Sequence, residues 1–124
     1  MFAQTCAACH QADGSGTPGL APQLKGAYWQ KLLAQRSYLP RVILFGLTGQ
    51  IKVGDAVFNG GMPAQAQLTD EQIAAVSNHV ATGLNAAQLP PGWKPYDAAE
   101  VAGVRATPHA SLEQRQLRKQ ALAP

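Results

Sequence analysis

Aromatic residues are scarce in this chain: Phe, Trp and Tyr together make up 6% of its 124 residues. Charged residues are few as well, at 14%, and there are only two cysteines and two methionines. Each shortage excludes something. A structural zinc site needs four ligands, and no second cysteine pair exists to complete one. No apolar run reaches the roughly 18 residues of a membrane-spanning helix. A nucleic-acid binder wants a broad basic face interleaved with stacking aromatics, whereas the net charge here is +3. Residues 1–104 hold six Lys/Arg against six Asp/Glu, and the excess lies in the last twenty residues (Arg105, Arg115, Arg118 and Lys119 against Glu113), a stretch without aromatics. The start shows no basic-then-apolar export signal, so the expectation is a form from which such a signal has been removed. The length allows one domain with a tail. Hydrophobic residues at 46% are enough for a small core, but one short of large flat side chains.

What is present is concentrated near the start. Cys6-Ala7-Ala8-Cys9-His10 places two thiols three positions apart with a histidine directly after them. That is the attachment signature of a c-type haem. On one helical turn the two sulfurs reach the two vinyl groups on one edge of a porphyrin, and the next side chain is carried under the ring, where an imidazole nitrogen binds iron. A redox dithiol, half a zinc site and a disulfide between neighbours are the competing readings of the pair. A thioredoxin-type dithiol belongs near a strand–helix–strand pattern, which this sequence lacks. The haem would also supply the flat apolar body that the composition is short of.

The loop 13–26 is rich in glycine and proline and has neither helical nor alternating periodicity. With His10, its Gly14, Gly16, Pro18, Gly19 and Ala21-Pro22-x-Leu24-x-Gly26 resemble the haem-hugging loop of class I bacterial cytochromes c. A second match is Asn59-Gly60-Gly61-Met62-Pro63, similar to the distal loop of that family. The resemblance implies an all-α fold of three to five helices around one covalent haem c, with a short hairpin before the methionine loop and an extended C-terminal tail. It implies Cys6 and Cys9 as thioether sites, His10 and Met62 as the axial iron ligands, and Pro22 as the residue whose carbonyl takes a hydrogen bond from the axial imidazole. Gly61, Tyr38 and Arg41, with Tyr28 and Trp29 beside them, are candidates for the haem surroundings, the last four for holding a propionate. Gln11 departs from the family, where glycine is frequent. His79 stands where relatives frequently have Tyr; it reads as a packed or surface histidine rather than an alternative iron ligand.

Local signals place the elements. Met1 to Gln11 reads as a helix with Phe2 on the face of Cys6. Helix is expected over 27–47, with Pro40 starting its second part. Two extended segments in 49–58 flank a turn at Gly54-Asp55. Over 68–85, Thr69 and Gln72 form a capping box ahead of Ile73, Val76, Val80 and Leu84 at helical spacing. The expected division is a haem domain over 1–87, then a Pro-rich linker and helical extension over 88–124, lying on the core or on a partner. In the extension Asp97 caps a short helix, Ser111 caps another whose apolar positions are Leu112, Leu117 and Leu122, and Trp93 and Tyr96 anchor the tail.

An iron held on both faces has no open position, so the resemblance implies an electron carrier rather than an enzyme. The expected role is shuttling single electrons in the bacterial periplasm between a dehydrogenase or reductase and the respiratory chain, with a redox protein or oxidoreductase subunit as partner. The tail's proline-rich approach and basic end suit such a subunit, and on this reading residues 106–124 are dispensable for the haem spectrum. The alternative is a haem enzyme or gas sensor with Met62 displaced.

Overall fold

The computed structural model describes residues 2–17, 21–53 and 56–123. The N-terminal helix comes as two turns, α1 (Phe2–Thr5) and α2 (Ala7–His10). Cys6 links them without losing the hydrogen-bond run: its N–H donates to the Phe2 carbonyl (2.8 Å) and its own carbonyl accepts from His10 N–H (3.0 Å). The run ends at Gln11, whose φ of 66° and ψ of 156° lie where glycine is at home. The ensuing loop contains a bridge between Thr17 and Ala21 and returns through Leu24, whose N–H donates to the Gly14 carbonyl (2.7 Å). Pro18 and Gly19 of its expected pattern lie outside the described residues, as do Met1 and the expected turn Gly54-Asp55.

The expected helix over 27–47 divides into α3 (Trp29–Ala34) and α4 (Tyr38–Phe45). Pro40 does not start α4; it is the third residue, still within the turn whose N–H groups have no intrahelical acceptor. Nor does helix reach Leu47, which opens a strand, β1 (Leu47–Thr48). The strands β2 (Ile51–Val53) and β3 (Ala56–Phe58) pair antiparallel, with Val53 opposite Ala56. β4 (Gly61–Met62) pairs antiparallel with β1, Leu47 opposite Met62. This small ladder, absent from the sequence expectation, qualifies an otherwise helical fold.

The capping box forms as expected at α5 (Asp70–Asn78): the Gln72 N–H donates to Thr69 Oγ1 and the Thr69 N–H to Gln72 Oε1. Ile73 and Val76 are buried on its inner face. From His79 to Leu84 the helix widens into a π-helical turn containing buried Val80. It stops at buried Asn85, whose Nδ2 donates to the carbonyls of Val80 (2.9 Å) and Leu24 (2.7 Å). One side chain thus terminates the helix and holds the glycine-rich loop against it. Among the described residues no helix is long and apolar enough to cross a membrane.

The C-terminal stretch lies on the core. Asp97 caps α6 (Ala98–Arg105), accepting from the Glu100 N–H (2.9 Å). Buried Tyr96 exchanges two hydrogen bonds with Asn78 and donates its hydroxyl to the Arg36 carbonyl (2.9 Å). The Arg36 guanidinium, 4.4 Å from the centre of the Tyr96 ring, forks onto Glu100 with two 2.7 Å bonds. α6 rests on α4 and α5, and α7 (Ser111–Leu122) on α3, α4 and β1. Ser111 is the first residue of α7 rather than its cap; the preceding Ala110 N–H is taken up by Glu113. Leu112 is exposed, whereas Gln114 and Arg118 are buried, so the inner face of α7 is partly polar. The basic end does not stand free for a partner. Arg105 donates to the carbonyls of Ala66 and Leu68, Arg115 to that of Thr48 and Arg118 to that of Lys52. Residues 106–124 are thus tied to the core by Arg115 and Arg118.

The backbone at Gln11 makes one prediction. A non-glycine residue in this region costs about 1–3 kcal/mol, whereas glycine costs roughly 0.5–1 kcal/mol in the unfolded chain. Gln11→Gly should raise stability by about 1 kcal/mol in denaturant titration of the holoprotein. A lower midpoint would show that Gln11 rests there without strain.

Candidate functional site

One cavity gathers the attachment turn, the glycine-rich loop and the methionine loop. Cys6, Cys9, His10, Pro22, Gly61 and Met62 all line it, with an apolar wall that includes Leu39, Val42, Ile43, Val76 and Val80. Both thiols are free; Cys6 is buried and Cys9 exposed. Burial pushes the Cys6 thiol up from its ordinary value. The attachment turn therefore runs from the interior to the surface within four residues.

His10 is buried, its Nδ1 2.9 Å from the Pro22 carbonyl oxygen. A carbonyl can only accept, so Nδ1 carries the proton and Nε2 keeps its lone pair for a metal. Burial draws the His10 pKa down, which favours this neutral form. The Pro22 carbonyl is brought there by the tight path of the loop. At Gly16, with φ +79°, a Cβ would come within 2.7 Å of the Gln23 nitrogen and 2.8 Å of the Ala21 oxygen. Only glycine lets the two strands of the loop pass this closely.

Met62 is half-buried and delivered by the β1–β4 ladder. Gly46, at the end of α4, makes room for that ladder: a Cβ there would fall 2.5 Å from the Met62 oxygen and 2.9 Å from the Ala64 nitrogen. The Gln65 N–H donates to the Ile43 carbonyl (2.8 Å), fastening the far side of the loop.

Of the candidates for the haem surroundings, Tyr28, Trp29 and Tyr38 line the cavity. Tyr28 donates its hydroxyl to the Gln23 carbonyl (2.6 Å), and the Trp29 Nε1–H is buried with no acceptor in hydrogen-bonding geometry. Arg41 is a correction. Its guanidinium turns away from the cavity to the Thr107 carbonyl and hydroxyl, because the α6–α7 connection passes over that face of α4. His79 is exposed, its ring tilted against that of Phe2 with centres 4.7 Å apart, and does not line the cavity. The sequence reading missed Arg118, which reaches the cavity from α7 and donates to the Tyr38 hydroxyl (3.0 Å). Its helical spacing from Gln114 and Ala121 was the available signal, obscured by the polarity of Gln114 and of Arg118 itself.

These residues fit a covalently attached tetrapyrrole. Two thiols lie a helical turn apart, an imidazole has its tautomer fixed, a thioether enters from a second loop, and a buried indole N–H lacks an acceptor. Among the described residues no cluster of three or more His, Cys, Asp or Glu assembles to hold a metal.

Comparison with known proteins agrees. The family model for cytochrome c matches residues 1–83. Over 120 residues the chain is 46% identical to cytochrome c-552 of Thermus thermophilus, covering 93% of this chain and 91% of that one. A second cytochrome c-552 from the same species is 46% identical over the same length, with 80% of it covered. The chain belongs to the cytochrome c family, and the class I, monohaem resemblance read from its motifs holds. It binds one covalent haem c, and membership of this family points to electron transfer.

The Gly46 contact is open to test. Gly46→Ala should cost about 2 kcal/mol, from its left-handed backbone and the collision with Met62 and Ala64. The ladder amides of Thr48 and Gly61 should then lose hydrogen-exchange protection while α5 keeps its own. Undiminished protection would mean that the ladder does not depend on Gly46.

Proposed function

We propose that the chain shuttles single electrons through a six-coordinate haem c, with Cys6 and Cys9 as the thioether sites and His10 and Met62 as axial ligands. The observation that carries this reading is the meeting in one cavity of Met62 and an imidazole whose Nδ1–H is committed to Pro22. When bound, the haem supplies a ferric/ferrous couple whose potential is raised by a thioether ligand. The chain's own residues do the rest. Pro22 fixes the orientation and basicity of His10. The β1–β4 ladder and Gly46 hold Met62 in place, so little of the chain has to move between redox states. Leu39, Val42, Ile43, Val76 and Val80 exclude water. Exposed Cys9, Gly60 and Gly61 bring the cavity rim to the surface, where a small, short-lived docking contact suffices.

The partners proposed are a periplasmic dehydrogenase or reductase on one side and the respiratory chain on the other. Family membership and the attachment motif support a periplasmic location, and fractionation of native cells checks it. Residues 1–87 hold the haem, and 88–124 form an extension whose first partner is the core itself.

Wild-type ferric protein should show a sulfur-to-iron charge-transfer band in the red and bind no carbon monoxide at neutral pH when reduced. Met62→Ala should abolish the band, admit carbon monoxide and lower the midpoint potential by more than about 100 mV, within the ~0.8 V that axial ligation spans. A wild-type spectrum that is high-spin, with rapid ligand uptake, would instead establish the sensor or enzyme reading.

A further inference from the structure

Met62 is held from the N-terminal side by the β1–β4 ladder, and the chain beyond it has a fastening of its own. Arg105, the last residue of α6, directs all three guanidinium nitrogens at the segment that follows the methionine. Its Nε donates to Asp70 Oδ1 (2.8 Å), one terminal nitrogen to the Ala66 carbonyl (2.9 Å) and the other to the Leu68 carbonyl (2.7 Å). Residues 63–68 form neither helix nor strand, so their path is set by such outside bonds. The Gln65 N–H ties the same segment to α4 through the Ile43 carbonyl (2.8 Å). Met62 therefore sits between two anchors, the ladder before it and the arginine after it. The ion pair with Asp70 is about one-third exposed on each side and contributes little by itself. The two carbonyls give the contact its consequence, because a planar guanidinium fixes both in direction at once.

We propose that Arg105 is a positioning residue for the ligand Met62: from the end of α6 it keeps segment 63–68 closed and so opposes departure of the thioether. The inference rests on the His10/Met62 reading above and deepens it with a residue outside 1–83, the stretch matched by the family model. Arg105 is not among the residues lining the cavity, so its action runs through the backbone of the segment it grips. A competing ligand can take the Met62 position only while that segment is open. Its apparent affinity is the intrinsic one reduced by the population of the open state. Cutting the arginine contacts raises that population, and the competing ligand then binds more tightly.

The test titrates imidazole into the ferric holoprotein at neutral pH and follows loss of the red sulfur-to-iron band, with R105Q, R105K and R36Q beside wild type. R105Q should bind imidazole about three- to tenfold more tightly than wild type. R105K, which keeps the cation but not the fork, should fall between the two. R36Q cuts the other arginine clamp of the extension, on Glu100 and the Lys94 carbonyl, without touching segment 63–68. It should lower the denaturation midpoint and leave imidazole affinity at the wild-type value. Equal affinity in R105Q and wild type would overturn the proposal, leaving Arg105 a strut between α6 and α5. Equal tightening in R36Q and R105Q would overturn it too, since general loosening would then suffice. A wild type without the band would overturn the His10/Met62 reading itself, a result distinct from a band that R105Q leaves unmoved. If R105Q yields no holoprotein, hydrogen exchange of the ferric wild type decides. A Gln65 N–H that exchanges in step with the Val101 and Val104 amides of α6 supports the assignment, and one that exchanges well ahead of them overturns it.

Discussion

The contact from His10 Nδ1 to the Pro22 carbonyl is the constraint from which the rest of the site follows. It decides which ring nitrogen is free, and it does so from twelve residues away, so the chain between must follow one path. Gly16 allows the loop strands to cross at near-contact distance. The Leu24 N–H closes the loop on Gly14, and Asn85 grips the Leu24 carbonyl and the Gly26 N–H from the end of the last core helix. Asn85 thus grips the same loop that carries Pro22, two residues before Leu24. A buried amide that satisfies three backbone groups resists displacement, because each would otherwise be stranded away from water.

A second pattern joins the core to the extension. All five arginines donate to main-chain carbonyls across that junction or beside it: Arg36 to Lys94, Arg41 to Thr107, Arg105 to Ala66 and Leu68, Arg115 to Thr48 and Arg118 to Lys52. The lysines at 31, 52, 94 and 119 are exposed. The division follows from chemistry. A planar guanidinium offers several donors in fixed directions and is weakly hydrated, so it can stitch carbonyls at an interface, whereas an ammonium holds its water. The basic bias of the last twenty residues is thus directed largely into the molecule.

Much of this is legible in the chain. Cys6, Cys9, His10, Pro22 and Met62 can be named from motifs because a covalent cofactor forces residue type and spacing together. Thr69 with Gln72, and Asp97, can be named because a cap is a local bond. The parts not legible are those set by distant neighbours. Arg41 looks available for a propionate until Thr107, sixty-six residues on, takes its guanidinium. Leu112, Leu117 and Leu122 mark the inner face of α7 only on the assumption that a buried face is apolar, yet Gln114 is wholly buried and Leu112 is 57% exposed. The strand at Leu47 reads as helix because two-residue strands leave no periodicity. Gln11 stands out as a departure from glycine, but its cost becomes visible only with its backbone angles.

The boundary of the family match carries a further implication. The model for the family stops at residue 83, whereas the identity to cytochrome c-552 runs over 120 residues. The stretch beyond residue 83 is therefore shared with these relatives but lies outside the family match. In this chain that remainder brings Arg118 to the same cavity as Cys6, so the two ends of the sequence meet at one site. Closing so long a loop is not forbidding, since each doubling of length adds only about 0.6 kcal/mol. What it requires is a favourable contact at the meeting point. The Arg36–Tyr96 clamp supplies part of it on the far side of α3, without reference to the haem. The inner face of α7 supplies the rest, with Arg118 donating to the Tyr38 hydroxyl and the Lys52 carbonyl and Arg115 to the Thr48 carbonyl.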